Sequence, residues 1–178
     1  MGILHSYAVD LTWTGAGETG TTSYTAYGRD HDVVIPGRPV LLGSADPAFH
    51  GSSARYSPEQ LFVASLSQCH MLWFLHMAAR DGVVVVGYSD EAAGTMRVES
   101  AGAGQFIEVV LRPRVTVRTT PRPAGTDGVV SDDRPVTDAR LASLHKLAHE
   151  HCFISRSVNF PVLLEPAPFV SEALSALH

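Results

Sequence analysis

Ser57-Pro58-Glu59-Gln60-Leu61-Phe62-Val63-Ala64-Ser65-Leu66-Ser67-Gln68-Cys69-His70-Met71-Leu72-Trp73-Phe74-Leu75-His76-Met77-Ala78-Ala79-Arg80-Asp81-Gly82 is the stretch on which the fold turns. Ser57 offers a capping oxygen, Pro58 suits the first helical position, and Gln60 completes a capping box. The helix is expected to run to about Arg80 and to stop at Asp81-Gly82. Between Glu59 and Arg80 no residue carries a formal charge. A helix that is apolar on nearly all sides is a central one, covered by other elements all round. The stretch from Gln60 to Ala79 also holds two His, two Gln and two Ser, so it reads as a buried helix and not as a membrane span.

Upstream of this helix the chain reads as strands. Tyr7–Trp13 and Ser23–Arg29 are rich in β-branched and aromatic residues, and the Gly15–Gly20 turn between them predicts a hairpin. Val33–Ile35 is a further short strand, and residues 43–56 read as loop. Downstream, Val83–Tyr88, Thr95–Ser100 and Gln105–Val117 read as strands, with Pro113 marking an edge or a bulge. Residues 119–136 are rich in Pro, Gly and Asp and read as a loop. Thr137 or Asp138 caps a second helix, in which Leu141, Leu144, Ala148 and Cys152 fall at helical spacing. Ser157–Leu164 returns as a strand. Strands, long helix, strands, helix and strand in that order define an α+β class, and residues 1–178 form a single domain in this reading.

Composition narrows the function. The chain has 178 residues, 45% hydrophobic and 17% charged, as in an ordinary folded protein. A net charge of −5 and scattered arginines give no electrostatic reason to expect a nucleic-acid partner. Lys146 is the only lysine, and that bias, with abundant Ala, Val and Gly, points to a GC-rich bacterial genome. Met1–Ser6 has neither a charged n-region nor an extended apolar run, so no secretory signal is read there, and its match to a myristoylation pattern is set aside. Two cysteines without such a signal are expected to be cytosolic thiols, and the location cytoplasmic.

Those two thiols are the chemically interesting groups. Cys69 lies about twelve residues into the helix, too deep for the helix N-terminus to lower its pKa. If it is reactive, a cation must be brought to it, and Arg29 and Arg55 are the upstream candidates. The bland alternative is a packed cysteine, since free Cys is among the most buried residue types. Glu59 precedes Cys69 by ten residues, roughly 15 Å along a straight helix, so the two cannot touch within it. By itself Glu59 is explained as an acid that favours the helix dipole. His145 and His149 share a face with Cys152 one turn later, a soft-metal arrangement that lacks a defined fourth ligand. His70 and His76 read as core or interface histidines rather than ligands.

The chain resembles the OsmC/Ohr-like thiol peroxidases over most of its length. The residues that carry the likeness are Ser57-Pro58-Glu59, the cysteine ten residues after that Glu, and a second cysteine, Cys152, near the end of a later helix and before a strand. Ser65–Trp73 and Cys152-Phe153-Ile154 are closer to the OsmC-like branch than to the dedicated organic hydroperoxide resistance enzymes. The resemblance implies an OsmC-like fold, with antiparallel sheet wrapped around long central helices in an intertwined homodimer whose sites lie at the subunit interface. It also implies that Cys69 is the peroxidatic thiolate and Cys152 the resolving thiol. By the same resemblance an arginine from the N-terminal strand region, Arg29 in preference to Arg55, is expected to lower the pKa of Cys69, with Glu59 orienting that arginine. The implied substrate is a small-molecule peroxide, organic more than hydrogen peroxide. Phe62, Leu66, Trp73 and Phe153 would line an apolar site, an external dithiol would be the reductant, and no metal or other cofactor is required. The competing reading is a non-enzymatic dimer that binds an apolar small molecule or a metal, its cysteines inert or ligating.

Overall fold

The computed structural model describes residues 2–118 and 134–172. The chain falls into two compact units, one ending at Phe62 and the other beginning at Val63. In the first unit, β1 (Asp10–Trp13), β2 (His31–Val34) and β3 (Leu41–Gly43) form an antiparallel sheet in the order β1-β2-β3. The expected hairpin is not made. Ser23–Arg29 is turn and bend, and the strand that pairs with β1 is β2, with Trp13 opposite His31. The reason is local: Gly28 N–H bonds Gly15 O at 2.7 Å and Trp13 Nε1 donates to Gly28 O at 2.9 Å, which closes residues 15–28 as one long loop. Gly15 permits that closure, because a Cβ there would sit 2.2 Å from Gly28 O.

The long helix, α1 (Pro58–Arg80), forms as the sequence predicts. Gln60 N–H donates to Ser57 Oγ at 3.3 Å and Ser57 N–H to Gln60 Oε1 at 3.1 Å, which completes the capping box. At the other end Gly82 takes φ 74°, Gly82 N–H bonds Ala79 O at 3.3 Å and Val83 N–H bonds Ala78 O at 2.9 Å. This is a Schellman stop, and it needs glycine at the left-handed position. By length and composition α1 could cross a bilayer. Its Phe74, Met77 and Ala78 instead join the main core of the second unit.

Two further sheets lie in the second unit, and the first of them covers that core. β4 (Val85–Asp90), β7 (Pro113–Arg118) and β9 (Val170–Glu172) make one, and β5 (Ala93–Val98), β6 (Gly104–Leu111) and β8 (Val162–Leu164) the other. β4–β7 and β5–β6 pair antiparallel, whereas β8 and β9 join β6 and β7 in parallel. The single strand expected over 105–117 is two strands broken at Arg112. Asp90 explains the break: its Oδ1 accepts Arg112 N–H at 2.6 Å, out of the ladder, and its Oδ2 accepts Ser67 Oγ–H at 2.6 Å. Pro113 then opens β7, the strand position at which a missing N–H costs least.

Alternate residues Val115 and Val117 of β7 meet Phe74, Met77 and Ala78 from α1 and Leu141, Leu144 and Ala148 from α2 (Asp138–His151). Burying Phe74 completely contributes about 2–3 kcal/mol. Thr137 caps α2 by accepting Arg140 N–H at 3.1 Å. Most of the expected 119–136 loop lies outside the described residues.

Candidate functional site

α1 and α2 deliver the two cysteines to one place. Cys69 sits in the middle of α1, half-buried, and Cys152 is the C-cap of α2, fully buried. Distant in sequence, the two thiols lie close enough for each to act on the other, and both are free. After Cys152 the chain turns through a short 3-10 segment, Ser155–Ser157. One backbone amide of this turn is bonded to sulfur, Ser155 N–H donating to Cys152 Sγ at 3.4 Å, and the amides of Ile154 and Phe153 favour the Cys69 thiolate. Burial pushes the Cys69 thiol up and the Ile154 amide pulls it down. The Cys152 thiol pushes it up again, the Phe153 amide pulls it down, and the net result is raised. Among the described residues, none of the groups that act on Cys69 is a cation.

Beside the thiols, Trp73 lies one turn beyond Cys69 on the same face of α1. Its indole makes an edge contact with Phe153, with ring centroids 5.3 Å apart, and contacts His151 at 5.2 Å and His76 at 5.6 Å. Phe153 is largely exposed and Trp73 half-buried, so both present apolar surface next to the sulfur atoms. Leu66 is fully buried and packs as core, with no surface to offer a ligand. Phe62 is half-buried and belongs to the first unit.

The arginines expected to serve Cys69 also belong to the first unit. Arg55 is committed: it pairs with Asp30 at 3.1 Å and Asp32 at 3.2 Å and donates to His31 O at 3.1 Å. Arg29 has no carboxylate partner among the described residues. Its guanidinium lies 4.1 Å from the Tyr27 ring centroid and 4.5 Å from that of Tyr24, and donates to the carbonyls of both residues, at 2.6 Å for Tyr24 O. Stacking on aromatic faces leaves the cation uncompensated. Glu59, in the first turn of α1, has its Oε2 buried with no hydrogen-bond partner among the described residues.

The feature least visible from sequence is a pair of histidines. His70 Nε2 and His145 Nδ1 are 3.0 Å apart, the rings lie 9° from parallel, and Phe74 stacks on His145 at 4.0 Å. Burial pushes His70 down to about 4, with His149 lowering it further and Asp90 opposing. Burial pushes His145 down to about 3, with His70 adding to the effect. Both are neutral at ordinary pH. His145 therefore faces α1 and not a shared ligand with Cys152. Its position at helical spacing with Leu141 and Ala148 was the signal that it points into the core.

Residues 50–166 match the family of OsmC-like proteins. The chain shares 33% identity with an OsmC-like protein of unknown function from Vibrio cholerae, covering 92% of this chain and 100% of that one at a TM-score of 0.76. An organic hydroperoxide resistance protein OsmC from Legionella pneumophila shares the fold at 17% identity, covering 96% and 100% of the two chains at a TM-score of 0.63. The organic hydroperoxide resistance protein of Bacillus subtilis does so at 19% identity, covering 90% and 98% at a TM-score of 0.57. No curated protein matches the chain. With more than half of its length matched, and with this fold, the chain belongs to the OsmC-like family.

Proposed function

We propose that the protein is a thiol-dependent peroxidase that reduces organic hydroperoxides, and hydrogen peroxide less readily. The observation that carries this reading is the proximity of two free thiols, one half-buried and one fully buried, with the Ser155 amide bonded to the buried one. The Cys69 thiolate attacks the distal peroxide oxygen, the O–O bond breaks, and the alkoxide leaves as the alcohol after taking a proton. Cys69 is then a sulfenic acid. The Cys152 thiol attacks the Cys69 sulfur, water departs, and a disulfide links α1 to the turn after α2. An external dithiol returns both sulfurs to thiols by exchange.

Cys69 needs a cation, since its own surroundings raise its pKa. Arg29 is the group assigned, because its charge is not neutralised by a carboxylate as that of Arg55 is. The unpartnered Glu59 Oε2 supplies the acceptor that would orient such an arginine. A second copy of the chain fits the same logic. Gln68, Leu72, His76 and Arg80 form an exposed stripe along α1, and Leu72 is 62% exposed. A helix with no charge between its first and last turns presents that face to a partner and not to water. The active form is read as a homodimer in the cytoplasm. Trp73 and Phe153 favour an apolar peroxide.

The test is peroxide consumption with several thiol donors, followed by intact-mass measurement. Cys69→Ser should abolish turnover. Cys152→Ser should consume about one equivalent and stop at a sulfenic acid. Equal loss of the first turnover in both variants would overturn the assigned order.

A further inference from the structure

We infer that the buried His70–His145 pair is a positioning device for closing the Cys69–Cys152 disulfide; the inference builds on the peroxidase reading. His70 follows Cys69 directly on α1, and His145 lies two turns before Cys152 on α2. The hydrogen bond between them, 3.0 Å long, therefore joins the two helices that carry the thiols, next to the point where the thiols meet. Around it the helices touch through Phe74, Leu141, Leu144 and Ala148. Apolar packing of this kind has no directional preference and tolerates small rotations and slides of one helix on the other. A hydrogen bond between two flat rings, clamped by Phe74 on one face of His145, does not.

The pair is a costly way to fill a core. His70 is fully buried and His145 is 3% exposed, and the second nitrogen of His70, Nδ1, has no hydrogen-bond partner among the described residues. His149 faces the pair from α2 with its own Nδ1 buried and unpartnered, and Asp90 acts on His70 from β4. Two apolar side chains would fill the same space without an orphan nitrogen. What they would not supply is register. A disulfide forms only within a narrow window of Cα separation and dihedral angle, so a displacement of about 1 Å is enough to slow its closure. Attack of Cys69 on a peroxide has no such requirement, because the small molecule adjusts to the thiolate. The pair should thus govern the second chemical step and leave the first nearly untouched.

Amide replacements separate a positioning role from mere filling of space. The amide of a glutamine at position 70 reaches the place of His70 Nε2, whereas that of an asparagine stops at the place of Nδ1, short of His145. The experiment uses the reduced full-length protein as wild type, His70→Gln, His70→Asn and His145→Phe. One arm oxidises with diamide, which takes two electrons and two protons from the thiol pair and becomes the hydrazine. The other arm uses cumene hydroperoxide with dimedone present to trap the sulfenic acid.

Disulfide closure, followed by intact mass, should slow about tenfold or more in His70→Asn and His145→Phe and stay within about threefold of wild type in His70→Gln. Sulfenic acid formation should change less than about threefold in all of them, so the dimedone adduct accumulates only where closure is slow. Closure at one common rate in His70→Gln and His70→Asn overturns the inference, and so does equal slowing of both steps. If His145→Phe fails to fold, the matched pair at position 70 still decides. Wild-type protein that closes its disulfide with diamide but ignores cumene hydroperoxide would remove the peroxidase reading, and the diamide arm would still judge the histidines.

Discussion

Replacing Arg140 by alanine should lower stability by about 3 kcal/mol, because its guanidinium ties the start of α2 to the end of α1. Nε lies 2.6 Å from Asp81 Oδ2, Nη2 2.5 Å from Asp81 O, and Nη1 2.8 Å from Arg134 O. The Arg140 side chain is 11% exposed and that of Asp81 27%, so the contact is partly shielded from solvent. A hydrogen bond to a charged group contributes about 1.5–3 kcal/mol, and the contacts here share one side chain and are not additive. Asp81 keeps Arg134 at 2.9 Å after the change, but that arginine is 63% exposed and contributes under about 1 kcal/mol. For a chain of this size about 3 kcal/mol corresponds to a fall in Tm of roughly 6–12 °C. Differential scanning calorimetry measures it directly. Arg140→Lys should recover less than half, since an ammonium cannot reproduce the planar fork. The same clamp sets a pH dependence. Burial pushes Asp81 up, the hydrogen bonds and charges of Arg140 and Arg134 pull it down, and the net is a lowered pKa. Its contribution is fully present above the unfolded-state carboxylate pKa of about 3.9 and is lost as pH falls through the folded-state value. The stability gap between wild type and Asp81→Asn should therefore narrow in acid. A Tm fall under about 2 °C in Arg140→Ala, or a gap that widens in acid, would refute the reasoning.

Arg29→Ala should slow alkylation of Cys69 near neutral pH, whereas Arg55→Ala should chiefly destabilise the fold around Asp30 and Asp32; the reverse pattern in iodoacetamide kinetics would transfer the activating role to Arg55. Sedimentation should find a dimer, and Leu72→Glu, on the exposed stripe of α1, should shift it toward monomer with loss of peroxide turnover; a stable, active monomer would sink the interface reading. His70 and His145, at about 4 and about 3, bind protons less readily folded than unfolded, so their linkage destabilises the fold as pH drops below the unfolded value of about 6.5. Acid unfolding followed by circular dichroism should start at lower pH in His145→Phe than in wild type once the difference in neutral stability is subtracted.

Much of this was written in the two helices. The capping box at Ser57 and Gln60, the glycine stop at Gly82 and the Thr137 cap are local chemistry, and each formed where the residues placed it. The N-terminal strands were less legible. Ser23–Arg29 has the residue types of a strand, but the bonds of Gly15 and Trp13 to Gly28 are contacts across a long loop, and local propensity carries no trace of them. β8 forms at the end of the strand read over Ser157–Leu164, whereas the short parallel strand β9 exists because β7 offers an edge, not because three residues insist on extension. At the site, the cysteines were the thiols the sequence singled out, and Trp73 was read there as apolar lining or plain packing. The amides of Phe153 and Ile154 were not legible, since every residue but proline has one and only the turn aims them. The helix expected to be covered on all sides is bare along Gln68, Leu72 and His76 within one chain, because the elements of its own unit are too few to enclose it.

The unequal exposure of the two sulfurs would give the proposed reduction step a direction. Cys152 is fully buried at the end of α2, while Cys69 is within reach of solvent. In the proposed cycle an incoming thiolate would therefore approach only the Cys69 side of the disulfide, so Cys152 would be the leaving group and the reductant would be held for a moment on Cys69. The departing Cys152 sulfur meets the Ser155 amide, which accommodates the charge it carries away. Regeneration would then pass through a single mixed disulfide and run in one order, with α2 recovering its capping thiol before α1 releases the donor.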